Sequence, residues 1–142
     1  MRFLLDTNVI SEWVKPHPDP NVVTWLADAD EDRVFISVAS LAEIRFGIDL
    51  MPDGRRQDRL ISWLEEELPV RFEGRVLAID RRIADAWGIL SARARKTGAT
   101  LGSMDAFFAA TAETHALTLV TRNTGDFEKL KIPLLNPWHG PV

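Results

Sequence analysis

Four carboxylates stand where a polypeptide least favours them. Asp6 closes the apolar run Phe3-Leu4-Leu5, and Glu43 lies inside Leu41-Ala42-Glu43-Ile44. Asp105 opens Met104-Asp105-Ala106-Phe107-Phe108, and Asp126 follows Leu117-Thr118-Leu119-Val120 after a short turn. A lone carboxylate in a core costs several kcal/mol or takes up a proton. Acids scattered along a chain, each beside core sequence, point to one shared site. Carboxylates brought together repel and raise one another's pKa. A divalent cation relieves that conflict, and hard oxygen ligands suit Mg2+ or Mn2+.

Each acid also has a purely structural explanation. Asp6 could cap a helix beginning near Thr7-Asn8. Ser40-Leu41-Ala42-Glu43 fits a Ser-x-x-Glu capping box. Asp105 lies two residues after Ser103, a candidate cap, and would favour the positive end of its helix; Asp126 could do the same before Phe127 to Leu130. Glu43 is the hardest to explain this way. Its helical neighbours are Ala39, Ser40, Phe46 and Gly47, none of them a cation. Ser37 is an equally good cap and would place Glu43 well inside the helix, with Arg45 and Asp49 on the solvated stripe. Residues 105, 109, 112 and 116 share a face, Asp-Ala-Ala-Ala, that lets a helix approach a sheet closely.

These residues need elements to hold them. Short apolar runs at 2–5, 34–37, 76–79 and 117–121 predict buried strands, with a weaker fifth at 133–135. Helical spacing links Val22, Val23, Leu26 and Ala29; Leu60, Ile61, Leu64 and Leu68; Ile83, Trp87, Leu90 and Ala94; and Met104, Phe107, Phe108, Thr111 and Ala112. Gly98 is placed to cap the third of these. Strands alternating with helices imply an α/β fold: right-handed crossovers and a mainly parallel sheet of four to five strands, covered on both faces. Ligands then bind at the carboxyl ends of the strands, where Asp6 should sit.

The length of 142 residues fits a single domain, 1–142. No run approaches the roughly 20 apolar residues of a membrane helix. Arg2-Phe3-Leu4-Leu5 leads straight into an acid, unlike a secretory leader, and the lack of cysteine fits a cytoplasmic protein. A net charge of -4 argues against broad nucleic-acid affinity but allows local basic surfaces at Arg55-Arg56, Arg81-Arg82 and Arg93-Ala94-Arg95-Lys96. The three histidines lack metal-ligand spacing, no Gly-rich phosphate loop follows the first strand, and Ser40 lacks nucleophile-elbow glycines. A phosphatase of the haloacid-dehalogenase kind would need a second carboxylate two residues after Asp6, where Asn8 stands.

The segments around the acids resemble the four motifs of VapC-type PIN-domain proteins, especially the FitB-like branch. They are Leu4-Leu5-Asp6-Thr7-Asn8-Val9-Ile10-Ser11-Glu12, Ser40-Leu41-Ala42-Glu43-Ile44-Arg45-Phe46-Gly47, Asp105-Ala106-Phe107-Phe108-Ala109-Ala110-Thr111-Ala112 and Leu119-Val120-Thr121-Arg122-Asn123-Thr124-Gly125-Asp126-Phe127. The tail Asn136-Pro137-Trp138-His139 resembles the FitB-like branch in particular. The resemblance implies a three-layer α/β/α PIN-like fold and Mg2+- or Mn2+-dependent cleavage of RNA. It also implies a toxin role beside a cognate DNA-binding antitoxin, and a homodimer. Asp6, Glu43 and Asp105 would hold the metal, with Asp126 as fourth acid. Asn8, Thr121 and Asn123 would orient water or phosphate. Many relatives carry an acid directly after the Thr-Arg pair, where this chain has Asn123, so Asp126 and Asn123 compete for the fourth role. A PIN scaffold that grips RNA or protein without cutting is the alternative that Asn123 leaves open.

Overall fold

The computed structural model describes residues 1–140; the last two residues of the expected 1–142 domain lie outside the described residues. Five strands form one sheet: β1 (Phe3–Leu5), β2 (Val34–Ser37), β3 (Val76–Leu77), β4 (Thr118–Val120) and β5 (Leu134–Leu135). Their order is β3-β2-β1-β4-β5, and every pairing is parallel. Each expected strand forms. The third is shorter than the 76–79 run because Asp80 already belongs to the next element. Its side chain accepts from the Ile83 amide at 3.0 Å and caps α6 (Arg81–Lys96).

Alternation along these strands divides the apolar side chains between two cores. Leu5, Ile36 and Val120 enter one core; Leu4 and Leu119 enter the other. The first core is filled from α1 (Thr7–Ser11), α2 (Pro20–Asp28), α3 (Val38–Asp49) and the helical stretch α4 (Arg55–Ser62) to α5 (Leu68–Arg71). The second is filled from α6, α7 (Ser103–His115) and α8 (Thr124–Phe127). Helices therefore cover both faces, giving three layers. Phe108 and Phe127 are fully buried in the second core. Cutting either to Ala should cost about 3–5 kcal/mol.

Two local details follow from backbone chemistry. The expected Leu60–Leu68 helix is one periodic stretch, but it widens to a π turn at Trp63–Glu67. Pro69 explains this: it has no amide hydrogen and its ring crowds the carbonyl four residues back. The α6 helix ends as expected at Gly98, whose φ of 75° suits glycine. There the Ala99 amide reaches Ala94 O at 2.9 Å and the Gly98 amide reaches Arg95 O at 3.1 Å, a Schellman closure.

Parallel topology sends the carboxyl ends of all five strands to one edge. The α7 helix leads to the start of β4 at the opposite edge, so its first turn, with Asp105, begins at the carboxyl edge. Among the described residues no helix is long and apolar enough to cross a membrane.

Candidate active site

Asp6 directly follows β1, and its amide still donates to Val120 O at 2.9 Å. The register pairs Leu5 with Val120, so the next residues, Asp6 and Thr121, lie side by side on neighbouring strands. Asp6 is only 5% exposed. One carboxylate oxygen, Oδ1, accepts from the Thr7 amide at 2.6 Å, and the other, Oδ2, accepts from Thr121 Oγ1 at 2.7 Å. The capping role is therefore real, yet two neutral donors do not offset burial. Asp6 has its pKa raised to about 6: burial is the main cause, and the nearby charges of Asp105 and Glu43 add to it.

Glu43 stands inside α3. Ser37 caps that helix, its Oγ accepting from the Ala39 amide at 3.0 Å, so the Ser40 capping box does not form. Arg45 and Asp49, expected on the solvated stripe, are exposed and also pair with each other at 3.1 Å. Glu43 is half-buried and takes its partner from α1: Thr7 Oγ1 donates to its Oε1 at 2.6 Å. Thr7 Oγ1 also lies 2.9 Å from the Oγ of buried Ser40. A hydroxyl has one hydrogen. With that hydrogen on Glu43, Thr7 receives the hydrogen of Ser40, and the two form a relay that fixes the carboxylate.

Asp105 lies in the first turn of α7, which Gly102 rather than Ser103 precedes as cap residue, with no side-chain bond. Its pKa is raised, first by burial and then by the charges of Asp126 and Glu43. Ala109 and Ala112 of the small-residue face are fully buried against the sheet; Ala116 is the exposed residue that ends the helix, at φ 54°. Asp126 is exposed on α8. It begins no helix at Phe127, since α8 runs from Thr124 to Phe127 and a 3-10 turn follows at Glu128–Leu130. Asn123 joins the site through its backbone: its amide donates to Thr121 Oγ1 at 3.1 Å, while its side chain is exposed. Asn8 Oδ1 is buried without a hydrogen-bond partner among the described residues.

The four acids thus form one electrostatic cluster. Asp6 feels Asp105 and Glu43, and Asp105 feels Glu43 and Asp126. They do not form a closed cage: among the described residues no three His, Cys, Asp or Glu side chains converge as a ready metal site. These two facts agree, because charges act at longer range than coordination bonds. Thr7 and Ser40 are the site residues that sequence reasoning missed, Ser40 having been weighed there only as a helix cap. Their position was a signal, one directly after Asp6 and the other three residues before Glu43. A second buried acid among the described residues, Glu12, was also passed over. It is 3% exposed and bound by Lys15 Nζ at 3.0 Å and the Asp19 amide at 3.3 Å.

Known proteins are similar to this chain in sequence and fold. The PIN domain family profile matches residues 3–133. Toxin FitB of Neisseria gonorrhoeae is 38% identical over 136 residues, covering 96% of this chain and 98% of FitB. VapC ribonuclease Y4jK of Sinorhizobium fredii is 37% identical over 135 residues, covering 95% of this chain and 96% of the relative. The solved structure of FitAB bound to an IR36 DNA fragment is similar with a TM-score of 0.92 at 35% identity, over 99% of this chain and 98% of that one. The chain belongs to the PIN-domain family, in its VapC/FitB branch of toxin ribonucleases from toxin–antitoxin systems.

Proposed function

We propose that this chain is a divalent-metal-dependent endoribonuclease and the toxin of a type II pair, hydrolysing RNA phosphodiester bonds in the cytoplasm. One observation carries the reading: Asp6 is buried near the charges of Asp105 and Glu43 and forms no ion pair among the described residues. The donor set fits a hard divalent ion. It is all oxygen, burial and neighbouring acids raise the pKa of Asp6 and of Asp105, and each Asp6 oxygen carries a single hydrogen bond. Asp6, Glu43 and Asp105 would hold Mg2+ or Mn2+, and a bound ion would activate water and neutralise charge on the phosphate.

The chain's own residues do the rest. Thr121 and the Thr7 amide fix Asp6, and the Thr7 hydroxyl fixes Glu43. Asn8 Oδ1, buried and without a partner among the described residues, has acceptor capacity for a bound water. Asp126 strengthens the demand for positive charge at Asp105. Above about pH 6 Asp6 is ionised and able to bind a cation. RNA cleavage by pure protein, dependent on added Mg2+ or Mn2+ and lost in Asp6→Asn, is the expected result. RNA binding without cleavage under any metal would leave the non-cleaving PIN scaffold as the correct account. The haloacid-dehalogenase alternative ends with the family assignment.

The same field explains inhibition. FitB's occurrence in a FitAB–DNA complex supports a DNA-binding antitoxin partner here. An arginine inserted over the acids would pair with two carboxylate oxygens and exclude the cation. Co-expression should relieve growth arrest, and changing that arginine to alanine should weaken inhibition. A homodimer is the expected resting form, which sedimentation of the pure toxin measures.

A further inference from the structure

The tail after β5 is tied to a loop of the acid cluster. Pro137–His139 form one 3-10 turn. Proline suits its first position, and Asn136 caps it, Oδ1 accepting from the Trp138 amide at 2.9 Å. That bond fixes which way the side-chain amide faces, and its Nδ2 donates to Arg122 O at 3.2 Å. Trp138 supplies a second tie: the Arg122 guanidinium lies over its ring, 5.4 Å from the centroid. On its other side the tail rests on α2, where Asn21 Nδ2 donates to Trp138 O at 2.9 Å. Gly140 ends the turn against Asn21 with a φ of 75°, and a Cβ there would come within 3.3 Å of the Asn21 side chain.

Arg122 is the middle of the segment 121–123. Before it, Thr121 Oγ1 donates to Asp6 Oδ2 at 2.7 Å. After it, the Asn123 amide donates to the same Thr121 Oγ1 at 3.1 Å, and Asn123 O accepts from the Asp126 amide at 3.1 Å. The sheet holds the start of the segment, because the Thr121 amide donates to Leu135 O at 3.0 Å. Past that bond the segment leaves the ladder, and the tail takes over. Arg122 is flanked by site residues, yet it forms no ion pair among the described residues. Its carbonyl and its side chain both go to the tail.

We propose that Asn136 and Trp138 are positioning residues for the site: they clasp the segment 121–123 from outside and so keep Thr121 on Asp6. Neither bonds to an acid of the cluster among the described residues. The effect on cleavage rests on the ribonuclease reading; the clasp itself does not.

Asn136→Asp separates capping from clasping. It keeps the acceptor for the Trp138 amide and loses the donor to Arg122 O. Trp138→Leu keeps apolar bulk but removes the ring beneath the guanidinium, whereas Trp138→Phe keeps a ring. The readouts are amide hydrogen exchange at Asn123 in metal-free protein, Mg2+ binding by calorimetry, and cleavage across a Mg2+ series. In Asn136→Asp and Trp138→Leu, exchange at Asn123 should speed up about tenfold relative to a sheet amide such as Leu119, the scale of one hydrogen bond. Mg2+ affinity should fall about tenfold, the low end of what losing a ligand's supporting partner costs. KM for RNA should stay near wild type, excess Mg2+ should restore cleavage, and Trp138→Phe should match wild type throughout. Unchanged exchange and Mg2+ affinity in a folded Asn136→Asp would overturn the clasp and leave Asn136 as a cap. So would exchange raised equally across the sheet, which marks general destabilisation. The local exchange effect in a protein that neither binds Mg2+ nor cleaves RNA would support the clasp while removing the ribonuclease reading.

Discussion

Asp6 and Glu12 are both carboxylates and almost equally buried, at 5% and 3% exposure. They lie on the two ends of one short helical stretch, yet they solve burial in opposite ways. Glu12 has a lysine at 3.0 Å and an amide at 3.3 Å. Asp6 has only neutral donors and faces two further acids. The first arrangement is complete within the protein. The second is left incomplete within the protein, and the proposed cation would complete it. A buried acid is therefore diagnostic through its neighbours and not through burial alone.

The largest effect should come from Asp105→Asn, which removes a charge from the crowded cluster. Cleavage should fall by about a thousandfold, the scale of losing a charge-stabilising group. Glu12→Gln should break the comparison from the other side. It should leave kcat near wild type and destabilise the fold by about 1.5–3 kcal/mol, the worth of a charge-assisted hydrogen bond. Denaturant melts and turnover on the same samples separate the two variants.

Thr7→Val tests the relay. It keeps the amide bond to Asp6 and deletes the hydroxyl that holds Glu43. A loss of about 10–100-fold in activity or metal affinity is expected, the usual cost of removing an outer-shell partner. Rescue by Thr7→Ser would show that the hydroxyl is responsible.

The fourth acid should matter less. Asp126→Ala should weaken metal-dependent cleavage more than Asn123→Ala, because an amide brings no negative charge. Dose curves in Mg2+ measure the order. The reverse order would assign Asn123 to substrate or water.

Stability without metal should depend on pH through Asp6. Its folded pKa, about 6, lies above the ordinary value of 3.8. The folded state then binds the extra proton between these values, so Asp6 favours folding at low pH and loses that contribution as pH rises through about 6. Relative to Asp6→Asn, wild type should lose on the order of 2–3 kcal/mol between pH 4 and 7. Saturating Mg2+ should restore much of that loss.

Much of this was legible in the residues themselves. Apolar runs mark the strands because parallel strands are buried on both faces. Gly98 marks the end of α6 because only a left-handed residue closes it well. The clash around Asp6, Glu43 and Asp105 was visible as acids without local cations. Glu12 was distinguishable by the same test, since Lys15 follows three residues later. What stayed hidden depends on contacts between distant segments. Thr7 reaches Ser40 and Glu43 only because α1 packs against α3, and local spacing says nothing of that. Ser40 and Ser37 compete as caps on equal local terms, and the strand's end decides between them. The strand order β3-β2-β1-β4-β5 likewise follows from pairing that no single segment encodes.

The most direct measurement is the titration of Asp6 by carboxyl 13C NMR, in the metal-free protein, in Asp105→Asn and with Mg2+ present. The account predicts a midpoint of about 6 in the first case. It predicts a lower midpoint in Asp105→Asn, and one lower still when Mg2+ is bound to wild type. A midpoint in the ordinary aspartate range that neither the substitution nor the ion moves would contradict a shared, cation-demanding acid cluster.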